Sequence, residues 1–322
     1  MIDVVALGEL LIDFLCKDTD AKGYPTLAAN PGGAPANFLA ALQAYGASTA
    51  MLGKVGEDHF GHLLIRSLRS RNIDTRGIIS DSSVFTTLAF VTLDENGNRT
   101  FSFARKPGAD TQLRPEEVDY ALIDQAKVFH FGSLSLTDDP SRTATHQAVA
   151  YAKQHKKWIS VDPNLRKPLW HNLNTAREQI EWALRQADII KISDDEIDFL
   201  WGLSPEAGVK RLLSEYNASL VYATCGAGGC YAANQAGGIW ISPPQNISAV
   251  DTTGAGDIFG GSAMSRLLAL GKHPQELTLQ ELSLIAGFAC CAASLSTQAH
   301  GGIESIVPWE TVYNRLHLIA AT

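Results

Sequence analysis

The chain has 322 residues, 45% of them hydrophobic, with a net charge of −8 and a pI near 5.6. That is apolar material for one large α/β domain, and too acidic a balance for a nucleic-acid surface. Its five cysteines lack the C-x-x-C spacing of zinc and redox motifs and suit a reducing compartment, so the expected setting is cytoplasmic and the expected partner a small molecule.

Asp3 to Phe14 is a near-continuous apolar run, the pattern of a strand buried in a parallel sheet, with Asp13 near its end. It carries Glu9 and Asp13 and has no basic leader, so it is not expected to be a signal peptide. No stretch is expected to reach the length of a membrane span. Ligands of open α/β sheets sit beyond the carboxyl ends of strands, which makes Asp13 either a ligand for polar groups or a solvated loop acid. Asn30 to Asn37, reading N-P-G-G-A-P-A-N, leads into a helix from Phe38 that closes at Gly46. This glycine-rich start has neither the lysine of a Walker loop nor a dinucleotide fingerprint. Asn37 has the donors and the acceptor to bind sugar hydroxyls, or equally the local backbone.

Thr86 to Leu93 and Arg99 to Phe103 read as strands joined through Asn96-Gly97, a hairpin signal. Inserted into an α/β chain, they suggest a small flap that covers a ligand and brings Arg105 or Asp110 to it. From Lys127 the chain alternates strands with helical stretches, as in a doubly wound core. The strands are Val128 to Phe131, Trp158 to Asp162, Asp188 to Ile192 and Ser219 to Thr224, and polar segments follow several of them. Those segments, Asp162 to Arg166, Ser193 to Glu196 and Thr224 to Gly229, would line one cleft at the sheet edge. Gly237 to Ile241 reads as a short antiparallel addition, Leu277 to Ser296 as one or two Ala-rich helices, and Pro308 to Ala321 as a closing amphipathic helix.

Between these lies Asp251-Thr252-Thr253-Gly254-Ala255-Gly256-Asp257, a glycine loop running into a helix through Leu268. Free N–H groups and the positive dipole end at such a start attract an anion, above all phosphate. A carboxylate there repels phosphate. Asp257 is therefore either an ordinary N-cap or a base that takes a proton from an attacking hydroxyl.

With these residues placed, the chain resembles the ribokinase-like (PfkB) carbohydrate kinases over nearly its whole length. The resemblance rests on Gly32-Gly33-Ala34-Pro35-Ala36-Asn37 followed by Gly46 and Gly56, and on Asp251 to Asp257. Asp162 to Trp170 and Asp188 to Glu196 are similar to bacterial and plant fructokinases. The resemblance implies a doubly wound, mostly parallel sheet flanked by helices in one domain over residues 1–322, with a β lid from about 14–30 and 84–108. It implies ATP- and Mg²⁺-dependent phosphoryl transfer to the primary hydroxyl of a sugar, fructose first. The alternatives are 2-keto-3-deoxygluconate, ribose, aminoimidazole riboside, or a relative that binds without catalysis.

On the same basis Asp257 is the base, and the N–H groups of Gly254, Ala255 and Gly256 form the anion hole. Asp13, Gly33, Asn37, Arg105 and Arg166 would meet the sugar or the transferred group. Lys191, Ser193, Thr224, Gly226, Gly229, Gly256 and Cys290 would meet the nucleotide. Glu196 would hold Mg²⁺ through water, and Asp251 and Thr253, with the loop at 299–305, a monovalent cation such as K⁺. Ser193 and Cys290 stand where relatives commonly carry Asn. The expected partners are sugar, ATP and a second copy across the lid, with no nucleic acid and no membrane.

Overall fold

The computed structural model describes residues 2–93 and 99–320. β1 (Ile2–Leu7) lies in a large sheet, and the chain then crosses to a second sheet as β2 (Leu11–Thr19) and β3 (Pro25–Gly32) before returning through α1 (Ala34–Ala44). β4 (Thr49–Gly56), α2 (His59–Ser70) and β5 (Asp74–Asp81) extend the large sheet, and β6 (Leu88–Leu93) and β7 (Arg99–Ala104) join the second. Strands and helices then alternate as expected: α3 (Tyr120–Gln125), β8 (Ala126–Gly132), α4 (Ser141–Gln154), β9 (Trp158–Asp162), α5 (Leu173–Gln186), β10 (Ile189–Ser193), α6 (Asp194–Trp201), α7 (Pro205–Glu215) and β11 (Leu220–Thr224). The hairpin β12 (Cys230–Asn234) and β13 (Gly237–Ile241) precedes α8 (Ala255–Leu270), α9 (Leu279–Ser296) and α10 (Trp309–Ala320).

The large sheet has the order β13-β12-β11-β10-β9-β8-β1-β4-β5, parallel from β11 to β5 and antiparallel at the β12–β13 edge. Alternate residues of a strand face opposite sides, and each side of this sheet has its own apolar cluster. Val5, Leu7, Ile190, Ile192, Val221 and Ala223 pack under α3 to α7, while Val4, Ala6, Ile189, Leu220 and Tyr222 pack under α1, α2, α8 and α9. The second sheet, β3-β2-β6-β7, is the expected lid. Leu93 pairs with Arg99 as a hairpin requires, and the Asn96-Gly97 turn itself lies outside the described residues.

Two expectations are corrected, and two strands on which the sequence reading was silent are added. The run from Asp3 to Phe14 is two strands in two sheets, so Asp13 belongs to the lid strand β2 and not to the end of a core strand. At the break, Gly8 lies against Pro35, where a Cβ would come within 2.7 Å, and the Glu9 side chain accepts the N–H of Ala34 at 2.9 Å. Continuous hydrophobicity reports burial and says nothing of direction. The added strands are β4 and β5, and β4 carries Lys54, only 1% exposed and held by Asp81 at 3.0 Å and Glu117 at 2.7 Å. The second correction concerns α9, a single helix that by length and composition is long and apolar enough to cross a membrane. It is a core helix here, with Leu282, Ile285, Ala286 and Ala289 buried in the cluster under the sheet.

Candidate functional site

Strand ends and lid enclose a cleft of about 1010 Å³. Asp13 and Leu11 reach it from β2, Gly33 and Asn37 from the start of α1, Arg166 from the loop after β9, Lys191 and Ser193 from β10, Glu196 from α6, Thr224 from β11, and Gly254, Gly256 and Asp257 from the start of α8. Gly33 is required where it stands: its φ is +109°, and a Cβ there would meet the Glu9 carbonyl oxygen at 2.4 Å. That contact brings α1 close enough for Asn37 to touch Asp257.

Asp257 does not cap its helix. Gly254, at φ +76°, is the N-cap and lets α8 begin at Ala255, which places Asp257 within the first turn. The carboxylate is instead gripped by two amides: Asn37 Nδ2 donates to Oδ2 at 2.8 Å and Asn164 Nδ2 donates to Oδ1 at 3.3 Å. Asn164 was not among the expected site residues. Its left-handed backbone, φ +45°, turns the amide inward, a conformation Asn tolerates better than most residues, and the only sequence signal was its place in Asp162-Pro163-Asn164. Burial is the largest influence on Asp257 and raises its pKa, opposed by the Asn37 hydrogen bond and by Lys191 and Arg166. The Asn37 Oδ1 atom is buried and accepts no hydrogen bond within the chain.

Other carboxyl groups also face the cleft, among them Asp13, Glu9 and Glu196. Burial pushes Asp13 up to about 7, with Arg166 pulling it down and Asp257 and Asp251 adding to the rise. Burial likewise pushes Glu9, which the sequence reading passed over, to about 7, against the N–H groups that it accepts. Glu196 is anchored on both oxygens: Oε1 accepts the Leu165 N–H at 2.7 Å and Oε2 the Ser193 N–H at 2.8 Å, while the Ser193 hydroxyl completes a capping box. Ser193 therefore keeps the strand-to-helix turn in order without the commoner Asn. Lys191 pairs with Asp162 at 3.0 Å beneath the start of α8.

Arg105 is not brought to the cleft surface. It is 6% exposed, its Nε donates to Asp110 at 2.8 Å, its NH1 to Thr137 at 2.8 Å and its NH2 to the Leu134 carbonyl at 2.9 Å. It ties the end of the lid to the loop after β8. Asp251 also lies outside the cleft lining, accepting the N–H groups of Thr253 at 2.8 Å and Gly301 at 3.0 Å and so joining two of the loops expected around a cation.

A second cavity of about 500 Å³ opens beside the first and shares Thr224, Thr252 and Gly256 with it. Gly226, Gly229, Ala255 and Cys290 line it together with Pro243, Ile247 and Ala293. One compartment is thus acidic and amide-lined, the other glycine-rich and apolar, and the N-terminus of α8 stands between them. Such a layout suits a polyhydroxylated molecule on the lid side, an aromatic ring with phosphates on the other, and passage of an anionic group between them at the helix start.

The sequence matches the family described as pfkB family carbohydrate kinase over residues 1–310. It is 40% identical over 310 residues to a maize (Zea mays) protein named fructokinase-1, covering 94% of each chain. Its fold is similar to that of a Xylella fastidiosa fructokinase solved with bound ATP, with a TM-score of 0.90, 27% identity, and 99% and 100% of the two chains covered. It is also similar to a Vibrio cholerae fructokinase double mutant solved with fructose, ADP and potassium, with a TM-score of 0.87, 28% identity and 98% of each chain covered.

Proposed function

The chain belongs to the pfkB family of carbohydrate kinases, and from that premise we propose that it transfers the γ-phosphoryl group of ATP to the primary hydroxyl of D-fructose. The observation that carries the reading is the Asn37–Asp257–Asn164 cluster at the mouth of α8. Two amides point the carboxylate toward the acidic compartment, and the unused Asn37 oxygen is an acceptor for a sugar hydroxyl. Asp257 accepts the proton of the attacking hydroxyl while the N–H groups of Gly254, Ala255 and Gly256 stabilise charge on the transferring phosphoryl group. Asp13 accepts further hydroxyl hydrogens, and Arg166 draws the phosphoryl group toward the acceptor.

ATP would lie in the glycine-rich cavity, with the base against Ile247 and Ala293 and the phosphates running over Gly226 and Gly229 toward Gly256. Both oxygens of Glu196 are already occupied by N–H groups, which suits a carboxylate that reaches Mg²⁺ through water rather than directly. When bound, Mg²⁺ neutralises phosphate charge. Asp251 and the backbone near Thr253 and Gly301 are the proposed frame of a K⁺ site. A second copy across the lid is supported by Phe85, 79% exposed beside a groove lined by Phe60 and Leu88. The proposed setting is the cytoplasm.

The deciding experiment is ADP release measured over a panel of fructose, ribose, aminoimidazole riboside and 2-keto-3-deoxygluconate. Fructose is expected to lead in kcat/KM by about ten-fold or more, the scale of discrimination that one pocket contact gives. A higher kcat/KM for any other sugar would reject fructose. The acid 2-keto-3-deoxygluconate should do poorly, because Glu9 and Asp13 face the compartment it would enter. A finer test concerns Asn164. Replacing Asn164 with Ala leaves Asp257 held by Asn37 alone, and kcat should drop by about ten-fold, the loss expected for one hydrogen bond to a charged group. An unchanged kcat at saturating substrates would show that Asn164 does not orient the base.

A further inference from the structure

Lys191 has no assigned partner in the transfer beyond a nucleotide phosphate, yet its surroundings turn it the other way. It projects from β10, 12% exposed in its side chain, and Asp162 of β9 holds the ammonium at 3.0 Å through Oδ2 and 3.3 Å through Oδ1. The ammonium fills the space in front of Gly256: a Cβ built on that glycine would lie 2.9 Å from Nζ and 3.5 Å from Cε. Lys191, Asp162 and Asp257 also border an enclosed space of about 20 Å³ behind the cleft, room for no more than a single water. Lys191 and Asp257 also line the open cleft, so the ammonium acts on the neighbouring carboxylate at a partly solvated wall, where the attraction is screened but still favours the charged carboxylate.

We propose that Lys191 is a positioning residue for Asp257: the ammonium, latched by Asp162 and seated against the Gly256 backbone, holds the Asp257 carboxyl group in its proton-accepting form. The proposal rests on the reading of Asp257 as the base. The charges facing Asp257 come from five elements: Asp13 on β2, Asp162 on β9, Arg166 in the loop after β9, Lys191 on β10 and Glu196 on α6. α1 contributes only the neutral Asn37, and His130 on β8, which borders the same enclosed space, is kept neutral by burial that holds its pKa at about 3. Lys191 and Arg166 are the cations of the set. Burial alone would lower the Lys191 pKa, but Asp162, Glu196 and Asp257 together raise it, so the ammonium persists across the working pH range. Gly256 then has a second reason to be glycine: any side chain would push the ammonium off its seat.

The test compares Lys191→Met/Asp162→Asn with Asp162→Asn alone, so that no acid is left buried without its cation and the two proteins differ only in the lysine charge. Removing the positive charge raises the Asp257 pKa, so the acid limb of kcat, at saturating sugar and ATP, should move to higher pH by about one unit. The same shift should appear in the ¹³C-carboxyl titration of Asp257, assigned by comparison with Asp257→Asn, which needs no turnover. If Lys191→Met fails to fold, Gly256→Ala serves instead, since it displaces the ammonium and should shift the titration in the same direction by less. A raised KM for ATP with both titrations unmoved would overturn the proposal and leave Lys191 as a phosphate contact. Loss of the base reading itself would look different: Asp257→Asn would then turn over normally, while the carboxyl titration still answered to Lys191.

Discussion

Substituting Asn for Asp257 is expected to lower kcat by roughly 10²- to 10⁴-fold, the usual contribution of a general base, in a protein that remains folded. The argument is geometric before it is electrostatic. Both carboxylate oxygens receive an amide N–H, from Asn37 and from Asn164. An Asn at 257 has one acceptor and one donor head, so one of those contacts becomes donor against donor, and the amide has no basic lone pair for the hydroxyl proton. Some loss of sugar affinity should accompany the loss of rate, since Asn37 must turn to relieve the clash. Stability should move the other way. The Asp257 pKa is raised by burial, so between its unfolded and folded values the folded state binds more protons than the unfolded one. The wild-type protein therefore loses stability as pH rises through that window, and the variant, lacking the group, should match or exceed it above the window. Steady-state ADP release and thermal unfolding across pH check the two halves. Wild-type turnover in the variant would remove Asp257 from the chemistry.

The second large effect falls on stability rather than rate. Arg105→Leu is expected to destabilise the fold by roughly 3–5 kcal/mol, the range for stripping one partner from a buried ion pair. Both Arg105 and Asp110 side chains are only 2% exposed, and the pair joins the end of β7 to Leu134 and Thr137 after β8. Thr87, just before β6, donates its hydroxyl to the same Asp110 carboxylate, so both ends of the second lid hairpin are fastened at one point. Without Arg105, Asp110 is a buried charge with a hydroxyl for company. Changing Asp110 to Asn in the same protein should recover much of the loss, because the penalty comes from the unpaired charge and not from the missing contact. Urea unfolding of the wild type and the two variants decides. A single-variant loss below about 1 kcal/mol, with a raised sugar KM instead, would mean that Arg105 serves the substrate and not the lid hinge.

The contrast between Arg105 and Asp257 shows how far the linear chain can be read. An arginine just after a flap strand has the same appearance whether its fork meets a sugar, a phosphate or a neighbouring aspartate. Asp110, Thr137 and Leu134 claim it through contacts made across 5, 32 and 29 positions, and none of these has a local pattern. Asn164 escaped notice for the matching reason: its amide matters only because Asp257, 93 positions away, lies in front of it. Asp257 was singled out through its neighbours, two glycines and an apolar helix, and of its two readings, cap or base, the structure removes the cap. Helix starts are set by backbone dihedrals, and Gly254 at φ +76° moved this one forward.

What the sequence by itself determined is whatever depends on neighbours along the chain. That covers the alternation of strands and helices from Lys127 to Thr224, the two glycine-rich helix starts, the lid hairpin, and the family to which they point. These features are local because period, turn chemistry and backbone permissiveness act over a few residues. Only the tertiary structure decided which charges meet. It split Asp3 to Phe14 between two sheets and so put Asp13 under the lid. It turned Arg105 from the cleft into a fastening, and it set Lys191 against Gly256 behind the base. The physical reason is that burial and pairing of charge depend on distances in space, and the sheet order that fixes those distances places β1 between two strands far along the chain, as Ala6 pairs with Met51 on one side and Val4 with Val128 on the other.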